Sequence, residues 1–320
     1  LCDYLDDLTR ISLSNYGENG PGVRKDATIE GIDPAKKCPK TNIMALWGGK
    51  AAILGVNFAP AMLIETHAHL YDKSFKVDMS ELMARGHEAG LSEIMMPNID
   101  HTSIDAMLEL ELAWANPANG PVAKAMMGLH PCYVKKGFEQ ELYLIESWVQ
   151  KRKWLAIGEI GTDLYWDKTT WDIQAEAFNI QCQWALNLGR PVVIHCRESV
   201  GQTIELVRPW ADKGLNGVFH CWSGTGEQAQ SVTQMGFYLG IGGTATYKNS
   251  SIADILKGLD TSFLVLETDS PYLTPVPHRG KRNEPAYIAI VAQKLADLLH
   301  MPLEDLESLT TTNARRLFAW

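Results

Sequence analysis

Two histidines, His67 and His69, stand one residue apart in the stretch MLIETHAHLYD, Met62 to Asp72. In an extended segment residues i and i+2 point to the same side, so both imidazoles can face one point in space. A metal ion would use such a pair, but two rings do not complete a coordination sphere. The remaining ligands must come from elsewhere in the chain. Candidates recur toward the ends of apolar runs: His130 in GLHP, Glu159 in AIGEIGTD, His195 in VVIHCRES, His220 in VFHCWSGT, and Glu267 with Asp269 in LETDSPYL. Taken singly, a histidine in such a place is more often a hydrogen-bonded structural residue than a ligand. A carboxylate inside an apolar run is costly unless it is paired or bound to metal. Independent accidents do not account for the same placement on run after run.

The donor types narrow the metal. Four imidazoles (His67, His69, His195, His220) and two carboxylates (Glu159, Asp269) suit zinc, manganese, iron or magnesium rather than a thiolate site. Six donors exceed what one tetrahedral ion needs. A carboxylate can bridge two ions, and Glu159, from the middle run, is the natural bridge. Two ions would clamp the attacking and leaving oxygens of an in-line phosphoryl displacement.

What must position these groups is a repeated unit. From Met62 onward, eight apolar runs (MLIETH, SEIMMPN, VAKAMMGLH, WLAIGEIG, PVVIHC, GVFHCW, FYLGIGG and FLVLETD) alternate with amphipathic stretches of helical length. The helical candidates include residues 80–89, 104–115, 139–151, 171–188 and 285–299. Strand–helix alternation predicts an α/β fold with a parallel sheet. Eight such units across residues 62–320 match the size of a (β/α)8 TIM-type barrel, typically about 250 residues. A barrel delivers the C-terminal ends of all its strands to one face, where barrel enzymes build their active sites.

Residues 1–61 read differently. The segment SNYGENGPGVRKDATIEGIDPAKKCPKT is rich in glycine, proline and charge and lacks periodicity. It is expected to be an extension, disordered or outside the native domain, with the hydrolase barrel spanning 62–320. The opening Leu1 predicts that the chain is not a complete translation product. The most apolar stretch, residues 43–64, is interrupted by Lys50, Asn57 and glycines and is not expected to span a membrane. Six cysteines form no C-x-x-C pair, which fits a reducing, cytoplasmic setting. The net charge of −9 argues against a broad basic nucleic-acid face, yet leaves room for a small site where bound cations dominate the local field.

The motifs ETHAHL, GLHP, GEIGTDLYW, PVVIHCRES, FHCWSG and ETDSPYLTPVPHRGKRNEPAYI together resemble the TatD family of metal-dependent deoxyribonucleases, within the amidohydrolase-like barrels. The resemblance runs from Met62 to the C-terminus and does not reach the first 61 residues. It implies two divalent ions (Mg, Mn or Zn), one held by His67, His69, Glu159 and Asp269 and the other by Glu159, His195 and His220. It implies Asp269 as general base, DNA as substrate (single strands or 3′ ends), and 3′ to 5′ exonuclease action. The family usually opens with Asp where this chain has Glu65. That residue precedes the ligand pair and is expected to point away from it.

Substrate contacts are sought around the same face. Arg197, two residues past His195, should share its side and could reach a phosphate. The loop PVPHRGKRNEP groups His278, Arg279, Lys281 and Arg282; it can bind phosphates or be a solvated basic loop. Trp222 and Tyr247 could stack on bases or simply pack. His130 is a pocket candidate and a less secure ligand. Two rival readings stand beside the nuclease: a metal-dependent amidohydrolase or esterase acting on a small molecule, and a non-catalytic scaffold stabilised by metal. The loop at Arg279–Arg282 favours DNA over the first, and the intact ligand set with Asp269 counts against the second.

Overall fold

The structure, a computed structural model, describes residues 63–319. The expected extension, residues 1–61, lies outside the described residues.

Eight parallel strands follow one another: β1 (Leu63–Glu65), β2 (Leu91–Met96), β3 (Val122–Ala125), β4 (Ile157–Asp163), β5 (Val192–Arg197), β6 (Gly217–Phe219), β7 (Tyr238–Ile241) and β8 (Leu264–Leu266). They pair in chain order as β1-β2-β3 and β4 through β8. Two parallel bridges join the sets into a ring: Met127 with Ile157, and Ala68 with Ser270. The helices between them are α1 (Met79–Glu88), α2 (Ile104–Ala113), α3 (Phe138–Val149), α4 (Trp171–Leu188), α5 (Val200–Ala211), α6 (Gly226–Gln234) and α7 (Ile252–Ile255), with α8 (Ile288–Leu299) and α9 (Leu303–Phe318) after β8. This is the expected (β/α)8 barrel. All eight apolar runs are strands, and the five helical segments expected from the sequence are helices to within three residues at each end, the last opening with a 3-10 turn at Pro285–Tyr287.

Two apolar cores follow from the strand period of two. One lies between the strands and the helix ring. The other fills the barrel: Ile64, Met95, Met126, Ala156, Val193, Val218, Tyr238 and Val265, one from each strand or its immediate flank, pack with Ala314, Leu317 and Phe318 of α9. This inner layer sets what lies above it. Two residues beyond Val193 is His195, two beyond Val218 is His220, and two and four beyond Val265 are Glu267 and Asp269. The period that buries the apolar layer thus carries polar groups to the C-terminal mouth.

Strand β4 breaks the period to do the same. Ala156 faces inward, so unbroken alternation would place Gly158 and Ile160 inside. The register shifts between Gly158 and Ile160, leaving Glu159 as an inserted residue opposite β5. Such a bulge re-aims side chains, and here it turns Glu159 to the centre. Beyond it Gly161 pairs with His195. With φ +142° and a hypothetical Cβ only 1.9 Å from the His195 carbonyl oxygen, that position admits only glycine.

Candidate metal centre

His67 and His69 lie just past β1, on a segment that stays extended because the ladder to β8 continues. Asp269 N–H donates to the His67 carbonyl at 2.9 Å and His69 N–H to the Ser270 carbonyl at 2.8 Å. The buried Glu65 carboxylate secures the same junction from below, accepting through Oε1 from the backbone N–H groups of His67 (3.0 Å) and Thr268 (2.9 Å). Burial pushes the Glu65 pKa well up, offset only in part by those hydrogen bonds. Its hydrogen bonds are with Thr268 and the backbone and not with the ligand rings, in keeping with the expectation that it points away from them.

Glu159 is the hub. Its Oε2 lies 3.2 Å from His67 Nε2 and 3.6 Å from His69 Nε2. Its Oε1 lies 2.8 Å from His220 Nε2, 3.1 Å from His195 Nδ1 and 3.3 Å from His130 Nε2. Asp269 Oδ1 stands 3.4 Å from His69 Nε2 and 3.7 Å from His67 Nε2. The first histidine pair converges at 3.3 Å between Nε2 atoms, and the His195–His220 pair at 3.2 Å. Four imidazoles and two carboxylates from five strand ends thus form two adjoining clusters, with one oxygen of Glu159 turned toward each. Asp269 reaches its place with φ 56°, a left-handed conformation that Asp tolerates better than most residues.

The outer nitrogens reveal which ring atoms carry lone pairs inward. Tyr71 donates its hydroxyl hydrogen to the Pro97 carbonyl at 2.5 Å and so accepts from His69 Nδ1 at 2.8 Å. That leaves His69 Nε2 as a lone pair facing Glu159 and Asp269. Asp163 takes the Nε2 hydrogen of His195 at 2.9 Å, leaving Nδ1 as the inward lone pair. Glu267 lies 3.6 Å behind His220 Nδ1. It is fully buried, as expected of a carboxylate one layer below Asp269, and accepts from Cys221 N–H at 2.5 Å. Gly240 makes room for it, since a Cβ there would stand 2.2 Å from Glu267 Oε2. His130 is the exception. Its Nδ1 accepts from Cys132 N–H at 3.1 Å, so its hydrogen sits on Nε2 and points at Glu159. His130 is therefore built as a hydrogen-bond donor at the cluster and not as a ligand.

Lone pairs of imidazole and carboxylate facing one another at about 3 Å repel unless a proton or a cation lies between them. The electrostatics express that demand. Burial alone would raise the Glu159 pKa, but His130, His220 and His67 outweigh it and hold the carboxylate well below its usual range. Asp269 is likewise lowered against its burial by His69, His67 and His220. Burial keeps His67 and His130 below the ordinary histidine value. His195 and His220 rise against burial, drawn up by Asp163 and Glu159 in the first case and by Glu159 and Glu267 in the second. Buried oxygen and nitrogen atoms, Glu159 Oε2 and His67 Nδ1 among them, have no hydrogen-bond partner. A donor set of this kind fits divalent ions.

The cluster opens into a cavity of about 850 Å3. Arg197 and His130 line it, as do Trp166 and Tyr272, which the sequence reading did not single out. Asp163 was also passed over, though it lies four residues beyond Glu159 on the same strand and so on the same side. Trp222 departs from expectation. The left-handed turn at Cys221 (φ 47°) and the bond from Trp222 N–H to the Gly240 carbonyl (2.9 Å) send its ring into the core, edge-on to Phe219 and only 6% exposed. It is a packing residue and not a base-stacking one. Arg279 lies over the Tyr247 ring at 3.9 Å, and neither is among the residues that line the cavity. Arg282 of the same loop is taken up by Asp78, with contacts at 2.7 and 2.6 Å.

Comparison with known proteins agrees with this geometry. A family profile described as TatD related DNase matches residues 64–319. An uncharacterised metal-dependent hydrolase, YabD of Bacillus subtilis, is 34% identical over 258 residues, covering 80% of this chain and 99% of its own. The 3′-5′ ssDNA/RNA exonuclease TatD of Edwardsiella piscicida is 29% identical over 262 residues, with coverage of 80% and 99%. The crystal structure of YJJV, a TatD homologue from Escherichia coli K12, superposes with a TM-score of 0.75 at 27% identity, covering 81% of this chain and 99% of that one. The chain belongs to the TatD family and is a metal-dependent hydrolase.

Proposed function

We propose that this chain hydrolyses phosphodiester bonds in DNA, working from 3′ ends of single strands with two divalent ions. The observation that carries the reading is the division of Glu159, Oε2 toward His67 and His69 and Oε1 toward His195 and His220. In this reading His67, His69, Asp269 and Glu159 hold one ion, and His195, His220 and Glu159 hold the other. Divalent ions there would supply Lewis acidity toward the phosphoryl oxygens and a lowered pKa for water.

The chain's own groups do the rest. Asp269, with its side chain 13% exposed at the cavity, accepts the proton of the attacking water. His130 presents its Nε2–H beside Glu159, where it can donate to a phosphate oxygen. Arg197 with Lys73 and Lys76 brings positive charge to the cavity wall of a chain whose net charge is −9. Support for nucleic acid and for 3′ to 5′ polarity comes from the relative named as a 3′-5′ ssDNA/RNA exonuclease. A cytoplasmic site of action belongs to the same proposal, supported by the free thiols Cys132, Cys182, Cys196 and Cys221. No helix among the described residues is long and apolar enough to cross a membrane.

The test is incubation of the purified chain with single-stranded oligonucleotides labelled at either end, with Mg, Mn or Zn and with EDTA. Metal-dependent shortening from the 3′ end is expected. Intact oligonucleotide under all three metals overturns the reading.

A further inference from the structure

We propose that Tyr165, Trp166 and Arg197 form a subsite at the cavity rim that stacks one unpaired nucleobase and grips the adjoining phosphate. This rests on the nuclease reading above and names the part of the substrate that the chain recognises.

The two aromatics are 51% and 73% exposed, a large apolar area to leave in water beside a cavity. Their rings meet edge to face with centroids 4.9 Å apart. The Arg197 guanidinium lies over the Tyr165 ring at 3.7 Å and within 5.7 Å of the Trp166 ring. Stacking of that kind covers the guanidinium's face and leaves its N–H edge free for an anion. Arg197 makes no ion pair with a carboxylate among the described residues. Arg85, Arg152, Arg208 and Arg282, by contrast, are each paired with one.

The backbone fixes this group relative to the cluster. Arg197 ends β5, two residues past His195, and pairs in register with Asp163. Its carbonyl accepts from Leu164 N–H at 2.9 Å, and Asp163 Oδ1 accepts from Tyr165 N–H at 3.0 Å. Asp163 also holds His195, so one carboxylate positions both a cluster ring and the loop that carries the aromatics. Trp166, Arg197, His195 and Glu159 all line the same cavity. A base stacked at Trp166 would therefore place its chain of phosphates toward Glu159. A base in a duplex must first be unpaired and unstacked to enter, at a cost in free energy, so the subsite favours single strands.

The test compares oligonucleotides carrying a normal or an abasic nucleotide at successive positions near the 3′ end. The wild-type chain is expected to favour the normal nucleotide at one position by about tenfold in kcat/KM, the scale of one base–aromatic stack. Trp166→Ala should bring that ratio close to one. Tyr165→Ala should lower it in part. Arg197→Gln should weaken normal and abasic substrates alike and reduce the salt dependence of KM by about one phosphate contact. If Trp166→Ala retains the wild-type ratio at every position, the subsite is wrong while the nuclease reading stands. If the wild-type chain cleaves neither substrate with any metal, the nuclease reading fails and the subsite with it.

Discussion

Asp163 takes the Nε2 hydrogen of His195 at 2.9 Å, and that bond turns the opposite ring nitrogen, Nδ1, to within 3.1 Å of Glu159. Carboxylates placed behind metal-binding imidazoles fix the tautomer and raise ligand basicity, and their loss typically costs about 10- to 100-fold in metal affinity. Asp163→Asn is expected to weaken one of the two proposed ions by about tenfold while leaving the other nearly unchanged. Competition against a chromogenic chelator measures both affinities. Equal weakening of the two would mean that Asp163 acts on the fold and not on His195.

Stoichiometry follows from Glu159. If each of its oxygens serves one ion, metal-reconstituted protein analysed for bound metal should approach two equivalents. Glu159→Gln should lower occupancy at both places, because its amide nitrogen donates and cannot ligate. One equivalent at saturating metal with full activity would count against the bridge.

Asp78 joins Arg282 and Arg85 where α1 meets the loop after β8. Hydrogen bonds from Arg282 lower the Asp78 pKa from 3.8 to about 2 against the opposing effect of burial, with Arg85 adding to the lowering. A depressed carboxylate pKa stabilises the fold above the unfolded value and loses that contribution as pH falls. The contribution should therefore be present above about pH 4 and vanish toward pH 2. Asp78→Asn should lower the melting temperature slightly at neutral pH, a loss on the order of 1 kcal/mol or less for so accessible a pair. The two melting curves should converge as the pH approaches 2. A constant gap across that range would show that the substitution acts by some route other than charge.

The barrel was legible because its information is local. Runs such as VVIHC and LVLETD state both the buried strand and the polar residue two or more places beyond it. What escaped depends on contacts distant in sequence or on single backbone dihedrals. Arg282 reads as a free cation until Asp78, 204 residues away, closes on it. Trp222 reads as a mouth aromatic until the left-handed turn at Cys221 reverses its direction. His130 is set apart from the ligand histidines in the sequence, but its role as a donor rests on the backbone N–H of Cys132, which takes its Nδ1 lone pair. Glu159 stands at the centre of the cluster, although strict alternation would have placed it outside; the bulge that brings it in leaves no trace in residue type.

Asp269 allows the sharpest separation of roles. Its Oδ1 is near His69 and His67, at 3.4 and 3.7 Å, yet its side chain also opens on the cavity. It can therefore help to hold an ion and accept a proton, and substitution can divide the two. Asn matches Asp in size, offers one oxygen, and tolerates the left-handed φ of 56° that the position requires; it cannot take a proton from water. Asp269→Asn is expected to fold and keep most metal binding while losing about two to four orders of magnitude in turnover. His67→Ala removes a fully buried ring whose Nε2 lies 3.2 Å from Glu159, so it should weaken metal binding itself, and added metal should restore part of its rate. Metal titration of oligonucleotide cleavage by the two variants distinguishes them. A near-normal rate for Asp269→Asn, or rescue by metal as ready as that of His67→Ala, would make Asp269 a ligand only and leave the proton to another acceptor.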